Sequence, residues 1–275
     1  MPGETLDDAI AAATTQQAAG IGSLFTLLGE NLTSIDEGDT VAAHYHEVLA
    51  RTKAAGLGTE ISVKLTQLGF DLDPEHAERL FRELALAADE AGTWAWIDME
   101  GSDYVEATVA TYQRVKADHP NTGLAMQAYL HRTPADVERL LPVKPAIRLV
   151  KGAYDEPASI AYRRGADVDA AYLGVTVAML KGVAAGSVSR CVLGTHDTEL
   201  IAQAARHAAA NGVDRAKVEV HMLYGIRADQ QRRLARDGFT VKTLVAYGTF
   251  WYPWYVRRLA ERPANLLFAV RQILP

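Results

Sequence analysis

Short apolar runs rich in β-branched residues alternate with longer amphipathic stretches from one end of the chain to the other. The runs predict strands near Ser23–Leu28, Glu60–Leu65, Trp94–Met99, Gly123–Tyr129, Ile147–Lys151, Cys191–Thr195, Lys217–Leu223 and Val241–Tyr247. Between them, helical spacing of apolar positions predicts helices such as Pro74–Ala91, Tyr104–Asp118, Pro134–Leu141, Asp167–Val183, Thr198–Asn211 and Ala228–Asp237. Punctuation agrees: Asp73 and Pro74 read as cap and first-turn proline, Gly92 ends the same helix, and Gly212 follows Ala208-Ala209-Ala210-Asn211 in the same way. Strands alternating with helices imply parallel strands joined by right-handed crossovers. Eight strands, roughly 30 residues apart, fit a closed (β/α)8 TIM-type barrel better than an open α/β sheet.

The length of 275 residues suits one such barrel, and no linker, low-complexity segment or composition break divides it, so residues 1–275 read as a single domain. With 49% hydrophobic and 23% charged residues the composition is that of a globular enzyme able to bury a core without disulfides. The one cysteine, Cys191, lies in the apolar run Cys191-Val192-Leu193, reads as a small core residue, and suits a reducing compartment. A net charge of -6 with the signs mixed lacks the basic stripe of a nucleic-acid binder. No uninterrupted apolar run reaches the length of a membrane helix, and the acidic start Met1-Pro2-Gly3-Glu4-Thr5-Leu6-Asp7-Asp8 lacks the regions of a signal peptide. A cytoplasmic protein is expected. A peripheral membrane contact stays open, and the sequence does not fix an oligomeric state.

In barrels of this kind the active site stands at the carboxyl ends of the strands. There the sequence places Ser62-Val63-Lys64, Ile97-Asp98-Met99-Glu100, Met126-Gln127-Ala128-Tyr129, Arg148-Leu149-Val150-Lys151-Gly152, Gly194-Thr195-His196-Asp197, Glu219-Val220-His221-Met222-Leu223 and Tyr247-Gly248. A charge closing an apolar strand is costly to desolvate unless it is paired or used. For any single one a structural ion pair is the ordinary role, since such networks also perturb titratable groups. The whole set gathered at one pole points to a functional site.

After the last strand, Trp254-Tyr255-Val256-Arg257-Arg258-Leu259-Ala260-Glu261-Arg262-Pro263 reads as a helix between Pro253 and Pro263, with Trp254, Arg257, Arg258 and Glu261 on one side. Two adjacent guanidiniums match a carboxylate or phosphate, while the blander reading is an exposed helix in which Glu261 pairs with an arginine. Taken alone, these residues favour the blander one. His196 and His221 with Asp98, Glu100 and Asp197 can be drawn as a metal site of the sugar-isomerase kind, but without HExxH or paired CxxC no metal is expected. Gly20-Ile21-Gly22 opens a dinucleotide-like pattern that lacks its third glycine, and there is no Walker loop. A nucleotide cofactor would therefore bind without a Rossmann domain.

Six segments in order carry a resemblance: Ser62-Val63-Lys64-Leu65, Gln127-Ala128-Tyr129-Leu130, Arg148-Leu149-Val150-Lys151-Gly152-Ala153-Tyr154, Gly194-Thr195-His196-Asp197, Met222-Leu223-Tyr224-Gly225, and Arg257-Arg258-Leu259-Ala260-Glu261-Arg262-Pro263-Ala264-Asn265. Together they resemble proline dehydrogenase, the flavin-dependent barrel family of proline catabolism. The resemblance implies a distorted (β/α)8 barrel whose last helix lies over the barrel mouth, which turns the Arg257/Arg258 face toward the site. It implies FAD as cofactor, L-proline or a close analogue as substrate, 1-pyrroline-5-carboxylate as product and a quinone as electron acceptor. In this reading Arg257 and Arg258 grip the substrate carboxylate, Glu261 pairs with that cluster, and Lys64 stands beside the substrate with Asp98 as its charge partner. Leu223, Leu244, Tyr247 and Trp254 complete the substrate side. Gln127, Arg148, Val150, Lys151, Gly152, Ala153, Thr195 and His196 look like the flavin-contacting set.

The chain departs from the common family pattern in three places. Leu244-Val245-Ala246-Tyr247-Gly248 stands where many members read Tyr-x-Pro-Tyr-Gly, so the position close to the substrate ring is Leu244. His221 replaces a frequent glutamine, and Asp98-Met99-Glu100 replaces Asp-Ala-Glu. Three other readings stay open: a same-scaffold flavoenzyme acting on another cyclic or N-alkyl amino acid, a metal-dependent isomerase or aldolase, and a flavin-binding barrel without turnover.

Overall fold

In the computed structural model, which describes residues 1–29 and 32–251, eight parallel strands close on themselves in chain order. They are β1 (Gly22–Leu27), β2 (Glu60–Val63), β3 (Ala95–Ile97), β4 (Thr122–Gln127), β5 (Ala146–Val150), β6 (Arg190–Gly194), β7 (Val218–Leu223) and β8 (Thr240–Tyr247). The seam between β1 and β8 is paired in register from Gly22 with Lys242 to Leu27 with Tyr247, so no sheet edge is left open. All eight predicted strands are present. β2 and β3 are shorter than their apolar runs because Lys64 already turns away from the sheet and Asp98 has left it.

The predicted helices are found as α3 (Pro74–Glu90), α4 (Ser102–Asp118), α5 (Thr133–Leu140), α6 (Gly165–Ala185), α7 (Thr198–Ala210) and α8 (Ala228–Arg236). The cap predicted for α3 is made: the Asp73 carboxylate accepts from the backbone of Glu75 at 3.1 Å and of His76 at 3.0 Å. Two further helices, α1 (Leu6–Gln17) and α2 (Ile35–Ala54), precede β1 and β2. α1 turns Leu6, Ala9 and Ala13 inward and packs against β1 and β8. α6 is long and apolar enough by composition to cross a membrane. It instead joins β5 to β6 along the barrel wall, burying Tyr172, Val175, Met179 and Leu180, and the Tyr172 hydroxyl donates to the Leu149 carbonyl at 3.1 Å.

Strand alternation divides the apolar residues into two cores. Outward residues such as Phe25, Ile61, Ile97, Leu124, Leu149, Leu193, Val220 and Val245 meet the helices. Inside the barrel a smaller group, Leu24, Trp96, Ala146 and Val192 with Trp94 and Leu244 beside it, fills the waist. Trp96 is fully buried, and Gly123 across from it has to be glycine: a Cβ there would stand 2.3 Å from the indole.

Beneath the tryptophans the barrel floor is ionic. Glu60, 1% exposed, accepts from Trp96 Nε1 at 2.7 Å and pairs with Arg190 at 2.9 Å and Lys242 at 2.5 Å. Arg190 forks onto Glu219 at 2.8 and 2.5 Å and stacks on Trp94 at 4.4 Å. Burial pushes the Glu60 carboxyl up, but the charges of Arg190 and Lys242 and two hydrogen bonds outweigh it and hold the group below the ordinary glutamate value.

A carboxylate whose folded pKa is depressed stabilises the fold fully above its unfolded value, about 4.3, and loses that contribution as pH falls through the folded value. Glu60→Gln leaves buried cations short of a partner, which costs on the order of 3 kcal/mol at neutral pH. The expected result is a melting temperature well below that of the parent at pH 7 and a gap that narrows steadily below about pH 4. A gap of constant size across that range, followed by calorimetry, would show that the pairing contributes no net stability.

Candidate active site

The carboxyl ends of the strands form a rim in which the polar residues hold one another in place. Arg148 of β5 is only 4% exposed and crosses the barrel interior. Its Nη2 donates to the Asp98 carboxylate and to Ser62 Oγ at 2.9 Å, its guanidinium lies over Trp96 at 5.3 Å, and Ser62 donates in turn to Asp98 at 3.0 Å. Strands β2, β3 and β5 are thereby tied by one charge-assisted triangle.

Lys64 opens a 3-10 turn, Leu65–Leu68, directly after β2. Its backbone N–H donates to Gln67 Oε1 at 3.2 Å, and Gln67 Nε2 donates to the Leu27 and Gly29 carbonyls at 2.8 and 2.9 Å. On the other side the Thr66 hydroxyl donates to Glu100 at 2.7 Å. The turn is thus fastened to both neighbouring strands. Gln127 is tied to the frame at both ends of its amide, accepting from Ala153 N at 3.1 Å and donating one N–H to the Glu100 carbonyl at 3.0 Å.

Lys151 reaches Asp169 at 2.5 Å and Asp197 at 3.0 Å. Burial lowers its pKa, but the two carboxylates outweigh burial and raise it, so the ammonium is charged. Asp197 also caps α7 through Glu199 N and Leu200 N and donates its own N–H to Thr195 Oγ1 at 3.1 Å. His196 Nε2 accepts from Leu223 N at 3.2 Å, joining the ends of β6 and β7. Gly152 is held at φ 143°, and a Cβ there would lie 2.4 Å from the Tyr129 ring. The loop after β5 therefore crosses the rim in close contact with that ring.

The structure brings Lys64, Asp98, Gln127, Arg148, Val150, Lys151, Gly152, Ala153, Thr195, His196 and Leu223 to this rim or the strand ends beneath it. Asp98, expected to face Lys64, instead pairs with Arg148 and Ser62 among the described residues. Leu244 sits lower, packed against the Leu24/Trp96/Val192 cluster. Tyr247 requires a correction. Alternation along β8 points it out of the barrel, where it is 1% exposed, packs edge-on against Phe25 and bonds His44 Nε2 at 2.8 Å, so its side chain faces α2 and not the mouth. Trp254, Arg257, Arg258, Glu261 and the helix expected over the mouth lie outside the described residues.

The residues of the metal alternative do not converge on one point. Asp98 is in the arginine triangle, His196 bonds the backbone, and His221 lies at the barrel waist with its ring edge-on to Trp96 at 5.6 Å. Burial, with the charges of Arg148, Arg190 and Lys242, holds His221 well below the ordinary histidine value, so it is neutral. Among the described residues no group of three potential ligands converges on one point.

Sequence reasoning gave Ser62, Trp96 and Glu156 no role. Glu156 accepts from Ser102 N at 2.7 Å and Ser102 Oγ at 2.6 Å, capping α4 from a loop 54 residues away. No local pattern marks a cap supplied from that distance.

A parallel eight-stranded barrel with a preorganised ring of cations and carboxylates at its carboxyl pole defines the class: a (β/α)8-barrel enzyme. The profile of the family described as proline dehydrogenase matches residues 9–271. Proline dehydrogenase 1 of Bacillus subtilis (strain 168) is 33% identical over 274 residues, covering 99% of this chain and 88% of that protein. The proline dehydrogenase of Deinococcus radiodurans is 34% identical over 278 residues with the same coverage. Among solved structures, proline utilization A from Bdellovibrio bacteriovorus superposes with a TM-score of 0.86 at 20% identity over 94% of this chain. The chain spans about a third of that much longer protein, and the likeness is one of fold. The chain belongs to the proline dehydrogenase family.

The contact at Gly152 can be tested directly. Gly152→Ala sets a methyl group against the Tyr129 ring and forces an unfavourable φ, which together cost about 1–3 kcal/mol. The expected outcome is faster amide exchange in the loop at 151–164, including Ala153, with the strands unaffected. Parent-like exchange at Ala153 would show that the loop accommodates the side chain.

Proposed function

We propose that this protein oxidises L-proline to 1-pyrroline-5-carboxylate with FAD bound across the rim, and that the electrons pass to a quinone. The observation that carries this reading is the Arg148–Asp98–Ser62 triangle beside Lys64 at the barrel mouth of a chain belonging to this family. The donor set suits a flavin. Arg148 Nη1 is buried and has no hydrogen-bond partner among the described residues, so the rim offers a charged N–H donor to an acceptor on a ring laid over it. Gln127, Lys151, Thr195 and His196 surround the same opening with further polar groups, and Gly152 keeps the loop close to it.

Bound there, the flavin would supply the hydride acceptor. The protein's part is binding, orientation and charge. Proline loses a hydride from the ring carbon next to nitrogen, and the nitrogen must give up its proton, leaving the imine of 1-pyrroline-5-carboxylate. Arg257 and Arg258, matching the family's paired arginines, grip the carboxylate and fix the ring's orientation, which can lower a barrier by several kcal/mol. Lys64 stands at the substrate side on a turn pinned from both flanks. Arg148, fixed by Asp98, contributes a positive charge where electron density accumulates. The quinone rests on the family resemblance; being lipid-soluble, it would place a cytoplasmic enzyme in peripheral contact with the inner face of a membrane.

A second reading is favoured by Leu244, which is apolar, partly buried and packed at the waist below the opening. A leucine there offers no hydroxyl to a substrate, which suits another cyclic or N-alkyl amino acid on the same scaffold.

An anaerobic absorbance spectrum recorded before and after L-proline separates these readings. Flavin bands that bleach with proline are expected. Bands that ignore proline but bleach with another cyclic amino acid would select the second reading, and a protein that cannot be loaded with FAD would overturn both. In the active enzyme, Arg257→Met or Arg258→Met should raise KM for proline about tenfold or more with flavin content unchanged, as befits loss of a charge-assisted hydrogen bond of about 1.5–3 kcal/mol. Unchanged kinetics would remove the arginines from the substrate clamp.

A further inference from the structure

The rim holds two acidic residues from the end of β3, and their surroundings differ. Asp98 is tied to Arg148 and Ser62, on the side of the proposed flavin. Glu100 is tied to the turn that carries Lys64, accepting from the Thr66 hydroxyl at 2.7 Å and, at a longer 3.4 Å, from the Thr66 backbone N–H. Its own carbonyl is occupied by Gln127, which leads on to the loop after β5 through Ala153. Glu100 thus connects the ends of β2, β3, β4 and β5 while its carboxyl lies within electrostatic reach of Lys64.

We propose that Glu100 is the positioning residue for Lys64, fixing its turn through Thr66 and keeping a negative charge within electrostatic reach of its ammonium on the substrate side of the rim. Resting on the proposed oxidation, this divides the labour of the two acids: Asp98 holds Arg148, and Glu100 holds the turn that carries Lys64. Among the described residues, the charged and titratable groups around Glu100 are Lys64 after β2, Asp98 on its own segment, Tyr104 at the start of α4, and Glu156, which caps that helix from the loop after β5. Burial raises the Glu100 carboxyl above the ordinary value; the Thr66 hydroxyl and the Lys64 charge oppose this, and Asp98 adds to it. Glu100 therefore gains its proton at a higher pH than an exposed glutamate, and from that pH downward its negative charge beside the Lys64 turn is lost.

The test compares holoenzymes of the parent and Glu100→Gln, an isosteric change that retains an oxygen for Thr66. Two readouts are taken: the acylation rate of Lys64 by acetic anhydride, followed by peptide mass spectrometry, and the pH profile of kcat/KM for proline. Glu100→Gln removes a negative charge that favours the protonated amine and loosens the setting of the turn, so Lys64 labelling is expected to rise about threefold or more, with Lys144 and Lys217 as unchanged references. KM for proline should rise about tenfold with flavin content and melting temperature close to the parent's, and the acidic limb of the profile should move. Unchanged Lys64 labelling with an unchanged profile would overturn the proposal. If Glu100→Gln does not fold, Thr66→Val replaces it, with the same directions of change supporting the idea and parent-like values overturning it. The labelling readout needs no substrate, so it decides the role of Glu100 even if proline proves not to be oxidised.

Discussion

The inside of this barrel is built around charge that has been taken out of water. A closed eight-stranded barrel has an interior just wide enough for side chains, and apolar branched residues are its usual filling. Here Trp96, Leu24 and Val192 fill the waist, while Arg148, His221, Glu60, Arg190, Glu219 and Lys242 occupy the space above and below them. Removing an ion from water costs several kcal/mol, and an excellent partner is needed to offset it. Each of the three cations named here has one: Arg148 has Asp98, Arg190 has Glu60 and Glu219, and Lys242 has Glu60. His221, which lies among three cations, avoids the cost by staying neutral.

Trp96 links the two ends of this arrangement. Its indole N–H donates to Glu60 on the floor, and its faces carry the guanidiniums of Arg190 at 5.0 Å and Arg148 at 5.3 Å. The position of Arg148 at the rim is therefore set from below by packing as well as from the side by Asp98 and Ser62. A guanidinium held at three points loses little freedom when it meets a ligand, which is what an active-site charge requires. Gly123 belongs to the same device, since only glycine leaves room for the indole.

Most of this architecture was legible in the sequence because its signals are local. Strand periodicity, the cap at Asp73 and the polar residues closing the strands all lie within a few positions of the elements they define. The misses differ in cause. α1 buries chiefly alanines, so its amphipathic signature is weak, whereas α2 carries a helical stripe of Ala42, Tyr45, Val48 and Leu49 that is legible in the sequence but absent from the predicted helices. Tyr247 follows an apolar strand, and only the register of β8 decides that it points outward to His44. Which acid pairs with which base is likewise a matter of three dimensions: Asp98 and Glu100 are two residues apart, yet one turns to Arg148 and the other to Thr66. The resemblance supplied roles for individual positions that composition and periodicity leave undecided.

The pairing of the rim charges also bears on what the site selects. Among the described residues, Lys64, Arg148 and Lys151 stand among Asp98, Glu100, Asp169 and Asp197, so this part of the rim presents both signs at fixed positions. A strongly charged mouth would concentrate any oppositely charged metabolite. A balanced one gives little attraction to a simple anion or cation and favours a molecule whose own positive and negative groups match its spacing. Free amino acids are such molecules, and for them recognition depends on geometry more than on long-range attraction. The proposed substrate would suit the hydrogen bonds that fasten the charged side chains of this rim to one another, with Gln127 tied to the frame and Glu100 to the turn of Lys64. On the proposed function an apolar position such as Leu244, packed below the rim, would be left to discriminate among rings, while the polar frame would read the amino-acid head.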